Sequence, residues 1–138
     1  MIFVDVKGAN STRLKNKLIS AAYFYLKELK VNSRTNLDVV IRLSSMGVDG
    51  YCDYNYHDSD KEITIELNKN QSHNELLLAL AHEMVHAKQY VKKELRTING
   101  LNYWKGATFS QTKFVDNMVP WEQEAYCRER ELFNSYAK

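Results

Sequence analysis

The chain is short of the features that mark special classes of protein. It has only two cysteines, Cys52 and Cys127, far apart and with no C-x-x-C pair. That argues against a cysteine zinc site and against a disulfide scaffold; two reduced thiols are the expectation, with a Cys52–Cys127 bridge as the alternative. Charge of either sign is not in excess. Nineteen lysines and arginines stand against 17 acids, a formal net charge of +2, so composition gives no strong nucleic-acid signal. The densest basic cluster, "KQYVKKELR", reads as a solvated helix end. Long apolar runs are missing too. The longest, Leu76 to Ala81, is far too short to span a bilayer, and "MIFVDVKGANSTRLK" has no apolar stretch of the kind a secretory leader needs. These absences set the expectation of a soluble, cytoplasmic protein with no membrane partner.

No repeat, low-complexity segment or linker divides the sequence. Its 138 residues suggest one domain spanning 1–138, and 44% hydrophobic residues suffice for a real core. In "STRLKNKLISAAYFYLKEL", Ser11 is a candidate N-cap, and Leu14, Leu18, Tyr25 and Leu29 fall at helical spacing. Three strands follow: "LDVVIRLS", "VDGYCDYNYH" and "KEITIELN". In the last, Ile63, Ile65 and Leu67 point one way and Glu62, Thr64 and Glu66 the other. Ser72 or Asn74 then caps a helix over about 74–95. "NGLNYWKG" reads as loop or turn, and Pro120 opens a last helix. Strands in one block flanked by helices predict an α+β domain: N-terminal helix, small three-stranded sheet, central helix, C-terminal helix.

The central helix carries "ALAHEMVHA". A glutamate and two histidines in so apolar a segment are costly to bury unless something pairs with them. His82 and His86 are four apart, hence one turn apart on one face, and both rings can reach one metal ion. Glu83, beside the first ligand, can reach a water on that ion and take its proton. This is the H-E-x-x-H pattern of zinc hydrolases. Catalytic zinc generally takes a third protein ligand. The extended form with glycine and histidine downstream is excluded, because those positions are Gln89 and Lys92. His57 and His73 both precede the pattern and read as surface residues. The downstream acids are Glu94, Asp116, Glu122, Glu124, Glu129 and Glu131, and "VPWEQEAY" stands out among them. Glu122 and Glu124 are two apart on a helix, so only one can face the metal. Ala125 lies on the Glu122 side and permits close helix approach, so Glu122 is favoured and Glu124 is the alternative.

"HEMVHAKQY", then "YWKGATF", then "VPWEQEAY" resembles the zincin metallopeptidases, more closely the gluzincin-like group whose third ligand is a glutamate on a later helix. Small SprT-like and phage-encoded metallopeptidase domains are similar. The resemblance covers roughly residues 36–138. It implies a minimal zincin-like domain with Zn2+ on His82, His86 and Glu122 and Glu83 as general base. The implied activity is that of a zinc metalloendopeptidase on a protein or peptide substrate, in the host cytoplasm if the chain is phage-encoded. Tyr126 and Tyr103 are candidates to stabilise the oxyanion. "EITIEL" is a candidate sheet edge for pairing with an extended substrate. Two other readings compete: a catalytically weak or inactive zinc-stabilised regulatory or binding module, and a DNA-associated protein. Glu83 counts against the first, since a structural zinc site needs no base; the +2 charge counts against the second.

Overall fold

A computed structural model describes residues 1–57, 60–99, 101–109 and 119–137, with side chains 55–60 and 107–109 left aside. It begins with strand β1 (Ile2–Lys7), ahead of the expected N-terminal helix. The alternation was there to read: Val6 is buried, Ile2 and Val4 half-buried, and Phe3, Asp5 and Lys7 exposed. Gly8 follows with φ +86, and a Cβ there would lie 2.6 Å from the Leu43 carbonyl oxygen, so glycine is what lets the chain turn toward the first helix. Helix α1 (Thr12–Glu28) starts at Ser11, whose hydroxyl accepts from the Leu14 N–H, as expected.

Strands β2 (Leu37–Ser44), β3 (Gly50–His57) and β4 (Asp60–Asn68) complete a four-stranded sheet in the order β1-β2-β4-β3. β1, β2 and β4 run parallel, and β3 is antiparallel to β4. α1 is thus the crossover that a parallel β1–β2 pair requires. One face of the sheet is fully apolar: Val39, Ile41, Ile63, Ile65 and Leu67 are buried against α1 and α2 (His73–Val91). Burial of a Leu or Ile side chain contributes about 1.5–3 kcal/mol, and this shared face is what fixes α2 on the sheet. The sheet has four strands, not three, because β1 joins it.

β4 is an interior strand, flanked by β2 and β3, and so is not the free edge that "EITIEL" was read to offer. The continuous pairing on both sides consumes its backbone groups. The edge lying along α2 is β3, which among the described residues pairs with β4 alone.

α2 begins at Ser72 in a capping box with Glu75, not at Asn74. It ends at Val91, short of residue 95, because Lys93 adopts φ 60 and the Glu94 N–H donates to the Gln89 carbonyl in a Schellman-type closure. "NGLNYWKG", expected as loop or turn, lies within a three-stranded antiparallel sheet, β5 (Leu95–Ile98), β6 (Leu101–Trp104) and β7 (Ala107–Phe109). Its turn residues explain the misreading. Asn99 at φ 52, and Lys105 with Gly106 at φ 49 and 87, are positive-φ residues of two-residue hairpins, which punctuate strands as well as loops. Helix α3 (Pro120–Ala137) carries proline at its first position and packs on α2, burying Ala125 and Leu132. The whole is a small α+β domain of three helices and two sheets among the described residues. No helix in it is long and apolar enough to cross a membrane.

Candidate metal centre

Two helices build the site. α2 presents Glu75, Leu78, Ala79, His82, Glu83, His86 and Tyr90 along one face, which forms the floor of a cleft of about 860 Å³. The opposite face of α2 buries Leu76, Leu77, Leu80, Met84 and Val85, so the helix cannot rotate the histidines away without exposing that core. α3 crosses from the other side and contributes Trp121, Glu122, Tyr126 and Glu129; β3 supplies the wall at Gly50, Tyr51 and Cys52.

The ligand atoms of His82, His86 and Glu122 all lie within 4.8 Å of one another. Glu122 Oε1 is 2.6 Å from His86 Nε2 and 3.2 Å from His82 Nε2. Ligands about 2.0–2.2 Å from a tetrahedral zinc stand roughly 3.4 Å apart, so the two separations from Glu122 are on the scale the ion needs, shortened by hydrogen bonding. Two imidazole nitrogens and one carboxylate oxygen are a zinc-type donor set that also accepts other divalent ions. Glu124 is absent from this group. It faces the other way, accepting hydrogen bonds from Lys88 Nζ at 2.8 Å and from Gln89 Nε2 at 2.9 Å. Close packing of α3 at the buried Ala125 fits the helix-approach argument that favoured Glu122.

Each histidine has a partner behind it. His82 Nδ1 donates to Glu129 Oε2 at 2.9 Å, and His86 Nδ1 donates to Gln89 Oε1 at 2.9 Å. Such contacts fix the ring and leave Nε2 facing the site. Neither partner was assigned a role from sequence, although a signal existed. Glu129 lies seven residues after Glu122, two helical turns on the same face, and Gln89 lies one turn after His86.

Electrostatics follow from this crowding. Burial pushes the Glu83 carboxyl above the ordinary range, although both histidines oppose the shift. Burial tends to raise Glu122, but hydrogen bonds from His82 and His86 outweigh it and hold the carboxyl down to about 2. Burial would lower both histidines; the Glu122 carboxylate overrides it and raises them.

The remaining candidates separate clearly. Tyr126 sits on the site, its ring edge-on to His82 at 4.8 Å between centroids, whereas Tyr103 lies on β6 and does not line the cleft. His73 is exposed at the start of α2. The side chain of His57 and the whole of Asp116 lie outside the described residues. Both cysteines are free thiols: Cys52 lines the cleft, and Cys127 is exposed. "KQYVKKELR" does end a helix, but Lys88 within it is buried rather than solvated.

A scan against protein-family models gives no match, and searches of curated proteins and of solved structures give none either.

Proposed function

We propose that this chain is a zinc-dependent metallopeptidase of the gluzincin kind, with His82, His86 and Glu122 as metal ligands and Glu83 as general base. The observation that carries the reading is the meeting of His82 Nε2, His86 Nε2 and Glu122 Oε1 in an open cleft, with a buried carboxylate of raised pKa one residue from the first ligand. Bound zinc would supply a water of lowered pKa and a polarised carbonyl.

The rest is done by the chain. Glu83 takes the water proton as the water oxygen bonds to the scissile carbon. It then hands that proton to the amide nitrogen as the C–N bond breaks. A carboxyl held above its usual range suits both halves of that transfer. Tyr126, whose ring lies against His82 at the rim, is the residue we assign to donate toward the developing oxyanion.

The substrate we assign is an extended peptide. Among the described residues β3 is an edge strand beside α2, its Gly50–Cys52 segment lines the cleft, and an edge of this kind can take a further strand. The opposite edge is closed to such pairing at one point. On β1 the Tyr23 hydroxyl accepts from the Val4 N–H and donates to the Ile2 carbonyl. A zinc-stabilised binding module is the second reading, and Glu83 stands against it, since a base buried at 7% exposure brings such a module no benefit.

Elemental analysis and hydrolysis of an unfolded protein, each with zinc and with chelator, test the proposal together. One zinc per chain with chelator-sensitive cleavage supports it. No zinc after refolding in the metal sinks it, and zinc without cleavage leaves the binding module.

A further inference from the structure

Behind the ligands, α2 and α3 are joined by a buried polar network that the chemistry above does not use. Gln89 is fully buried, at 0% exposure, and every polar atom of its side chain is engaged. Its Oε1 accepts from His86 Nδ1 at 2.9 Å. Its Nε2 donates to the Trp121 carbonyl and to Glu124 Oε1, each at 2.9 Å. Glu124 is held in turn by Lys88, whose ammonium donates to both carboxylate oxygens at 2.8 Å. The Lys88 ammonium also lies 2.7 Å from Glu94 Oε1, an ion-pair contact without hydrogen-bond alignment.

Two consequences follow from this wiring. The donors of the Gln89 amide are committed to Trp121 and Glu124, so the end facing His86 must be the oxygen. An amide oxygen only accepts, so His86 keeps a proton on Nδ1, and Nε2, which faces Glu122 Oε1 at 2.6 Å, is the nitrogen that gives up its proton when a metal takes the site. The same amide grips α3 at residues 121 and 124, on either side of Glu122. One side chain thus sets both the tautomer of the second histidine and the placement of the third ligand.

We infer that Gln89 is the positioning residue of the metal centre, holding His86 in the metal-ready tautomer and Glu122 in register, with Lys88 and Glu124 as its support. The inference rests on the metal reading above. It explains why a glutamine stands one turn after the second histidine, and why Glu124 has a fixed role although it is no ligand. Partners of this kind are worth roughly 10- to 100-fold in metal affinity when removed.

The test measures zinc affinity by competition with a chromogenic chelator, and the His86 Nδ1–H by nitrogen-edited proton NMR of the zinc-loaded protein. Gln89→Leu keeps volume and burial while removing every hydrogen bond. It is expected to bind zinc about 10- to 100-fold more weakly and to lose the slowly exchanging ring proton. Gln89→Glu keeps the acceptor toward His86 but gives up both donors. It should retain the ring-proton signal and still lose affinity through α3. A Gln89→Leu protein that keeps the signal and binds zinc within about twofold of wild type overturns the inference while the metal site stands. If Gln89→Leu does not fold, Gln89→Glu decides, and loss of the ring proton there overturns the inference. A wild type that binds no zinc removes the metal reading itself, and this inference with it.

Discussion

Gly50 and Glu83 meet at the cleft wall with no room between them: a Cβ on Gly50 would lie 3.2 Å from both Cγ and Oε2 of Glu83. The same Cβ would press on Leu67 Cδ2 at 3.2 Å, so the intruding methyl has packed atoms on two sides. Glu83 is the more movable neighbour, and it is the proposed base. Gly50→Ala should therefore shift Glu83 by a few tenths of an ångström while leaving the ligands in place. Small misplacements of catalytic groups are costly, and a loss of roughly 10- to 100-fold in kcat is expected with zinc content unchanged. Parallel kinetics and elemental analysis check this; a fully active Gly50→Ala enzyme would show that Glu83 has slack.

Glu83→Gln removes the base and little else. The glutamine keeps the shape and relieves the like-charge crowding with Glu122 and Glu129, so the fold and the metal should be retained. Proton transfer by a positioned side chain contributes about 10²- to 10⁴-fold, and turnover should fall by that order. Peptide hydrolysis assays on zinc-loaded wild type and variant give the answer. Equal rates would assign the proton to another group and weaken the case against a non-catalytic module.

Glu122 and Glu124 have opposite jobs on one helix, so their alanine variants should fail differently. Glu122→Ala deletes a donor of the triad and should abolish tight zinc binding. The fold should persist, since the Glu122 side chain is not part of the apolar core. Glu124→Ala keeps the triad and strips buried Lys88 and Gln89 of an acceptor. Leaving such groups short costs about 1–3 kcal/mol, seen as a lower Tm of the metal-free protein with zinc stoichiometry preserved. Loss of zinc in Glu124→Ala alone would reverse the two roles.

How much of this the sequence disclosed depends on the range of the signal. His82, Glu83 and His86 were legible because a helix fixes their relation locally, and the buried sheet face was legible from the strict alternation of Ile63, Ile65 and Leu67. That Glu122 rather than Glu124 faces the two histidines was legible from helical geometry and the small residue at 125. What stayed hidden was longer in range. Sheet order depends on which strands pair, so the interior position of β4 could not be read from its own residues. The β5–β7 sheet was hidden behind hairpin residues that also mark loops, Asn99 and Lys105–Gly106. Gln89 looked like a departure from another motif, and its role depends on Trp121 and Glu124 across the helix interface.

The metal-free protein should have a narrow pH optimum of stability that zinc displaces upward. His82 and His86 have folded pKa values raised above 6.5, burial being overridden by Glu122. Their contribution is fully present below 6.5 and is lost as pH rises through the folded values. Glu83, raised by burial, works in the same direction, because the folded state prefers its protonated form and loses that preference as pH climbs past 4.5. Glu122 works oppositely. Burial notwithstanding, the histidines depress it to about 2, so its contribution is present above 4.5 and is lost as pH falls toward 2. The chelated protein should thus melt highest between about pH 4.5 and 6.5, with Tm declining on both sides. Zinc binds the deprotonated ligands, so saturating zinc should raise Tm most at pH 7 and above and least at pH 5. Thermal melts from pH 3 to 9, with zinc and with chelator, make the comparison. A chelated protein most stable at pH 8 would mean that Glu122 does not sit against the two histidines in the metal-free state.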